Sequence, residues 1–373
     1  MAKSVRFARR KRSSFKKRRA QIGKKSKVAR VRRSRRRVKV MRGGEPKNIL
    51  LIIDPQNDFT PPYHGWAGGT LRVSGAIEDY AKIINAIQEN TINFSEIHVS
   101  LDTHTSMHIG HPNFWTVIDE NGTVLPNIKP DPFSILSIDD DNKIKGKTID
   151  DNPIEKYYKP TNPALKHYVN TYLQLYRGTY PKYPNRHGQF PMIWANHCFE
   201  KTEGHKIYEP LQQVLNSTKI PVKYHIKGQN NLSEMYSIFS AEFPVEDVLK
   251  VMGSDLPNIY EYVNANRAPG ITTDGSSANN YDDVIKLVNT DTKLNKKFIT
   301  ELIGDINSPN TIYVCGEALT HCVRSSIVDL LENCEITNKK EYIKLVKNAS
   351  SHITDRAEAE KAISDKGADL IEW

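Results

Sequence analysis

Residues 48–53, NILLII, are an uninterrupted apolar run that begins just after Gly43-Gly44-Glu45-Pro46 and stops at Asp54. So short a run, rich in β-branched residues and without polar alternation, predicts a strand buried on both faces. Residues 96–101 (EIHVSL), 221–226 (PVKYHI), 311–315 (TIYVC) and 342–346 (YIKLV) read as further strands, and 76–88, 323–333 and 357–365 have the apolar spacing of amphipathic helices. Strands alternating with helices in this way predict an α/β fold, a mostly parallel sheet with helices on both faces. Two long segments interrupt the pattern. Residues about 119–190 are rich in Asp, Asn, Pro and Tyr; residues about 240–305 mix short helices with a polar stretch, 268–281 (APGITTDGSSANNY), that reads as a mobile loop.

Charge divides the chain unevenly. Residues 1–44 hold 21 Lys and Arg and no Asp or Glu, which leaves 32 basic against 43 acidic residues in the remainder, a net of −11. An arm with so few apolar residues and so much self-repulsion cannot offset its ordering entropy, so 1–44 is expected to be a disordered polybasic tail. It has the footprint of a segment that binds nucleic acid or another polyanion, or that directs nuclear import. A mitochondrial presequence is the weaker reading, because its basic density exceeds what a presequence needs. Four cysteines (Cys198, Cys315, Cys322, Cys334) with no CxxC pair do not make a disulfide framework and point to a reducing compartment. No apolar run approaches the roughly 18 residues of a membrane span, so the expectation is a soluble intracellular protein of the nucleus or cytoplasm.

The polar residues that stand out all follow the carboxyl end of a predicted strand. Asp54 follows NILLII, Asp102 and His104 follow EIHVSL, Lys227 follows KYHI, and Cys322 follows TIYVCG after one turn. In an open α/β sheet those ends form the ligand crevice, so residues scattered along the chain are expected to converge there. Singly, each has a plainer reading: Asp54 caps a turn, Lys227 is a solvated strand end, and Cys322 is a buried structural cysteine. Together a carboxylate, an ammonium and a thiol are the groups needed to hydrolyse an amide through a thioester. The start of a helix at Cys322 is expected to lower its thiol pKa. Asp102-Thr103-His104 places two ligand types on one face of an extended segment, with His108 or His111 in the next loop and His197 beside Trp194. This set suits Zn²⁺, Fe²⁺ or Mn²⁺.

These segments resemble the isochorismatase-like cysteine hydrolases, and nicotinamidases in particular. The likeness runs from about residue 48 to the end, apart from the two insertions. It rests on IIDPQNDF with GGTLRV (68–73), SLDTH, IWANHCFEKTEGHKI (193–207), IKG with EMYSIF (234–239), and CGEALTHCVRSS. The resemblance implies a Rossmann-like three-layer hydrolase domain over 45–373 with a six-stranded, mostly parallel sheet. It implies Asp54, Lys227 and Cys322 as the catalytic set, and an oxyanion hole from the amides of Ala318 and Cys322 beside a cis Glu317–Ala318 peptide. Asp102, His104 and His197 are implied as ligands of a divalent ion, zinc first, with His111 ahead of His108 as the fourth. Phe59, Trp194 and Tyr236 are implied as walls of a pocket for nicotinamide. A homo-oligomer is a further expectation. Glu317 and Leu319 depart from the apolar residue and threonine usual at those positions, and Glu317 puts a carboxylate next to the expected oxyanion hole. Two other readings follow from the same residues: a nucleic-acid-associated structural protein with a hydrolase-like body, and a metal-free hydrolase closer to isochorismatase.

Overall fold

The computed structural model describes residues 45–148, 153–253 and 292–373. The polybasic arm at 1–44 and the polar stretch 268–281 lie outside the described residues. The chain begins with β1 (Asn48–Ile53), passes through a 3-10 turn at Asn57–Phe59 to α1 (Ala76–Glu89), and returns as β2 (Phe94–Asp102). Then come β3 (Trp115–Ile118), β4 (Ser134–Ile138), β5 (Ile144–Lys147), β6 (Pro153–Pro160), α2 (Lys166–Tyr176) and β7 (Met192–Ile193). After α3 (Glu209–Ser217), β8 (Val222–Lys227) and α4 (Val245–Met252), the next described elements are α5 (Lys296–Ile303) and the two-residue strands β9 (Gly304–Asp305) and β10 (Ser308–Pro309). The chain closes with β11 (Thr311–Gly316), α6 (Arg324–Asn333), α7 (Lys339–Tyr342), β12 (Ile343–Val346), α8 (Arg356–Asp365) and β13 (Asp369–Ile371).

Six strands form one sheet in the order β13-β12-β11-β1-β2-β8, every neighbouring pair parallel. The apolar run at 49–53 lies at its centre and is buried throughout. Burial on both faces stabilises each such Ile or Leu by about 1.5–3 kcal/mol. Helices cover the sheet: α1 packs with α3, and α5 packs with both α6 and β11. The order leaves β1 flanked by β11 and β2, so the carboxyl ends of three neighbouring strands open onto one crevice.

The interruption expected at about 119–190 is a folded unit. A second, antiparallel sheet in the order β3-β6-β5-β4-β7 runs from Trp115 to Ile193 and packs with α2 and α4. Leu136, Ile138, Ile144, Tyr158, Tyr168 and Tyr172, with Val248 and Leu249 of α4, form a core of its own. Most of its strands are short, β3 and β5 alternate buried with partly exposed residues, and turns built on Asp119 and Asp139 separate them, which is why composition disguised them as loop.

Candidate active site

Lys227 is the last residue of β8 and pairs in register with Asp102, the last of β2. Asp54 follows β1 with a φ of +43°, a left-handed conformation that Asp tolerates better than most residues. These two strand ends bring both carboxylates onto one ammonium: Lys227 Nζ lies 2.9 Å from Asp54 Oδ2 and 3.0 Å from Asp102 Oδ1. It is also 3.6 Å from Cys322 Sγ and donates to the Met235 carbonyl at 3.1 Å. All four side chains are buried.

Burial lifts the Asp54 carboxyl above its ordinary value; Lys227 opposes this and the charge of Asp102 adds to it. Burial alone would release the Lys227 proton, but Asp102 and Asp54 outweigh it and hold the ammonium charged. The Cys322 thiol is pushed well up, first by burial, with Lys227 opposing and Asp54 reinforcing. The low thiol pKa expected from a helix start is therefore not found. A helix end favours a thiolate only where desolvation does not exceed it, and here the sulfur lies inside the protein.

The turn that carries the thiol begins at Gly316, whose φ is +114°; a Cβ there would stand 2.1 Å from the Ile53 carbonyl oxygen. The Glu317–Ala318 peptide is cis. A π-helical turn, Leu319–Val323, then leads into α6 and contains Cys322, so the helix starts earlier than its apolar spacing predicts. The amides of Leu319, His321 and Val323 donate to Ser351 and Ala318 carbonyls. Glu317 turns toward α1. Its fully buried carboxyl pairs with Asp79 of α1, and burial, then Asp79, push it well above its usual range. Neither Glu317 oxygen nor Asp79 Oδ2 meets a conventional donor, as expected of a carboxyl–carboxylate pair sharing one proton.

Asp102 also joins the Asp54–Lys227–Cys322 cluster to a set of imidazoles. Its Oδ2 lies 2.9 Å from His104 Nε2 and 3.4 Å from His197 Nε2, and ligand atoms of these three residues lie within 4.8 Å of one another. His104 Nδ1 donates to the Gly228 carbonyl at 2.9 Å, which turns Nε2 toward the carboxylate. His111 Nε2 lies 3.1 Å from His197 Nδ1. His108 has both ring nitrogens engaged, Nε2 with the Ser233 carbonyl and Nδ1 accepting from the Gly110 amide. Burial, then neighbouring imidazoles, hold His108 and His111 far below the ordinary histidine value, so both are neutral. Possible ligand atoms of Asp102, His104 and His197, and again of His104, His108 and His111, lie within 4.8 Å of one another, and such carboxylate and imidazole sets fit a divalent ion of the zinc, iron or manganese kind.

Aromatic rings meet His321, next to Cys322, and His197. Trp194 donates from Nε1 to the Tyr236 hydroxyl at 2.9 Å, and its ring meets His321 edge-on at 4.8 Å. Phe59 lies 5.8 Å from the His197 ring. Four buried residues escaped the sequence reading of the site. Ser100 donates to Asp54 Oδ1 at 2.6 Å, and Gln56 holds both the amide and the carbonyl of Asp102. Asp58 accepts from the Cys198 amide at 2.6 Å and so fixes the corner beside His197; Gly204 makes room for its carboxylate. Glu234 stands over Gly110 near the imidazoles, and burial raises its carboxyl. Ser100 was accessible from period two on β2, and Gln56 from its place beside Asp54; no local pattern marks Glu234.

No family model and no curated protein matches the chain. Among solved structures, it is similar to the nicotinamidase/pyrazinamidase of Acinetobacter baumanii, 15% identical with a TM-score of 0.45 over 88% of this chain and 96% of that one. It is also similar to the yeast nicotinamidase bound to the inhibitor nicotinaldehyde, 14% identical with a TM-score of 0.46 over 87% of this chain and all of that one. The pyrazinamidase of Pyrococcus horikoshii in complex with zinc is 15% identical, with a TM-score of 0.38 over 88% of this chain and all of that one.

Proposed function

We propose that the protein is a cysteine amidohydrolase of the nicotinamidase type, which converts nicotinamide to nicotinate and ammonia. The observation that carries this reading is the single contact set of Lys227, which touches Asp54, Asp102 and the Cys322 sulfur at once. Asp54, lifted by burial, takes the thiol proton as Cys322 Sγ attacks the amide carbon, and Lys227 stabilises whichever of the two groups is charged. The amides of Ala318 and Cys322 receive the developing oxyanion. Asp54 then gives its proton to the leaving nitrogen, so ammonia departs and a thioester remains. A water that loses its proton to Asp54 attacks the thioester; the acid is released and the proton returns to the sulfur.

Asp102, His104 and His197, with His111 as fourth residue ahead of His108, would hold a divalent ion, zinc first. Bound there, the ion supplies a Lewis-acidic contact for a ring nitrogen and for water. Phe59, Trp194 and Tyr236 wall the ring. Residues 1–44 bind nucleic acid or another polyanion and set where the enzyme resides. Among the described residues no helix is long and apolar enough to cross a membrane. Ammonia release from nicotinamide by the zinc-loaded protein tests the reading: wild type is active, and Cys322→Ala and Asp54→Asn are not. An inactive wild type, or a Cys322→Ala variant as active as wild type, overturns it.

A further inference from the structure

One loop of the inserted segment reaches the nucleophile from outside the motifs. Asn185 braces it by donating to the Gln189 carbonyl at 2.6 Å and accepting from the Gly188 amide at 3.1 Å. From this loop Gln189, itself buried, donates through Nε2 to the Thr320 carbonyl at 2.9 Å, two residues before Cys322 in the π-helical turn. His187 lies deeper, with no side-chain exposure. Its Nδ1 is 2.7 Å from Glu242 Oε1 and its Nε2 is 3.0 Å from Asp329 Oδ1, so both ring nitrogens face carboxylates. Arg186 completes the cluster by donating to Asp329 Oδ1 at 2.9 Å and to Ser240 Oγ at 2.8 Å, and Ser240 donates to Asp329 Oδ2 at 2.6 Å.

The two carboxylates belong to opposite walls of the site. Asp329 is on α6, the helix that continues from the Cys322 turn. Glu242 is on the segment that carries Tyr236 and the Met235 carbonyl, to which Lys227 donates; its amide is bonded to the Glu234 carbonyl at 2.8 Å. Two cations against two carboxylates balance the cluster, which a neutral His187 would leave one negative charge in excess. The carboxylates hold the imidazole proton up to about 10 in spite of burial. Such a charge-balanced cluster, in which Glu242 Oε2 has no hydrogen-bond partner, fixes geometry, because moving either wall would strip a buried charge of its partner.

We propose that Gln189 is a positioning residue for the Cys322 turn and that His187, bridging Glu242 and Asp329, sets the separation of the Lys227 wall from the Cys322 wall. The proposal rests on the amidohydrolase reading for its catalytic meaning, but its geometric content is read by the thiol alone. Two readouts therefore serve: kcat and KM on nicotinamide, and the pH-dependent rate at which iodoacetamide alkylates Cys322, located by peptide mass spectrometry because all four cysteines are free and buried. Gln189→Met, which keeps volume and removes the donor, is expected to lower kcat about tenfold with KM within about twofold, and to change the Cys322 alkylation profile. His187→Gln is expected to do the same and also to lower the melting temperature. A profile and kcat unchanged in both variants overturn the proposal, as does a loss of melting temperature alone. If wild type does not hydrolyse nicotinamide, the functional reading fails, and the alkylation profile of the two variants still decides the role of the loop.

Discussion

Lys227 is both donor and counter-ion to two carboxylates, and it has no room to leave either. Replacing it with Met would leave Asp54 and Asp102 facing each other in a buried site, so one would take up a proton. We expect Lys227→Met to lower turnover at least about a hundredfold while zinc still binds, measured by ammonia release beside metal content. Glu317 makes a different prediction. Its carboxyl is held above its free value of 4.5 by burial and Asp79, so the native protein binds more protons than the unfolded chain above that pH. Stability must then fall as pH rises through the interval between the free and the raised value, the reverse of a salt-bridged carboxylate. Ser351, Lys82 and Arg356 also face the pair, and none neutralises it. Glu317→Gln removes the need for the proton. It is expected to be more stable than wild type near pH 8, with the gap closing toward pH 4.5; urea unfolding across that range checks it, and a gap that widens at low pH would contradict it. At this scale Asp54, Asp102, His104 and Lys227 were legible as residues at or just past strand ends, Cys322 from the strand-to-helix turn after β11, and His197 only from its motif. The direction of Glu317 was not, since a residue's neighbours across a helix–sheet interface leave no trace in its own segment.

The elements of the site act through their ends. Gly316 shows how narrow the tolerance is: with φ at +114° and the Ile53 carbonyl oxygen 2.1 Å from any Cβ, an alanine must move β11 away from β1. Gly316→Ala is expected to cost at least about 3 kcal/mol, read as a shift of the denaturant midpoint. Asp58 acts on the opposite side by holding the Cys198 amide. Asp58→Ala should weaken zinc binding by about ten- to a hundredfold through the His197 corner, measured by competition with a chromophoric chelator. The central strands of the parallel sheet were legible as apolar runs because both faces are buried, and the exposed edge strand β8 by its β-branched and aromatic residues. β13 went unread, being three residues long and only half-buried, and the antiparallel sheet was hidden by its short strands and its Asp and Asn turns. The π-helical turn at Cys322 was hidden too, because its apolar spacing differs little from that of the helix it starts.

At the scale of the whole molecule, a +21 arm precedes a body of net −11. The two halves of the reading separate cleanly here. Removing residues 1–44 should leave kcat and KM within about twofold and abolish salt-dependent retention on DNA, whose affinity for the full chain falls steeply from 50 to 200 mM salt. Loss of both activities together would mean that the arm takes part in catalysis. The central claim concerns the body: that an amide is cleaved through a covalent bond to Cys322 beside Lys227 and Asp54. Rapid-quench mass spectrometry of the zinc-loaded protein during nicotinamide turnover tests it most directly. The account predicts a nicotinoyl adduct mapped to Cys322 and absent from Cys322→Ser; turnover with no adduct on Cys322 at any quench time, undiminished in Cys322→Ser, would contradict it.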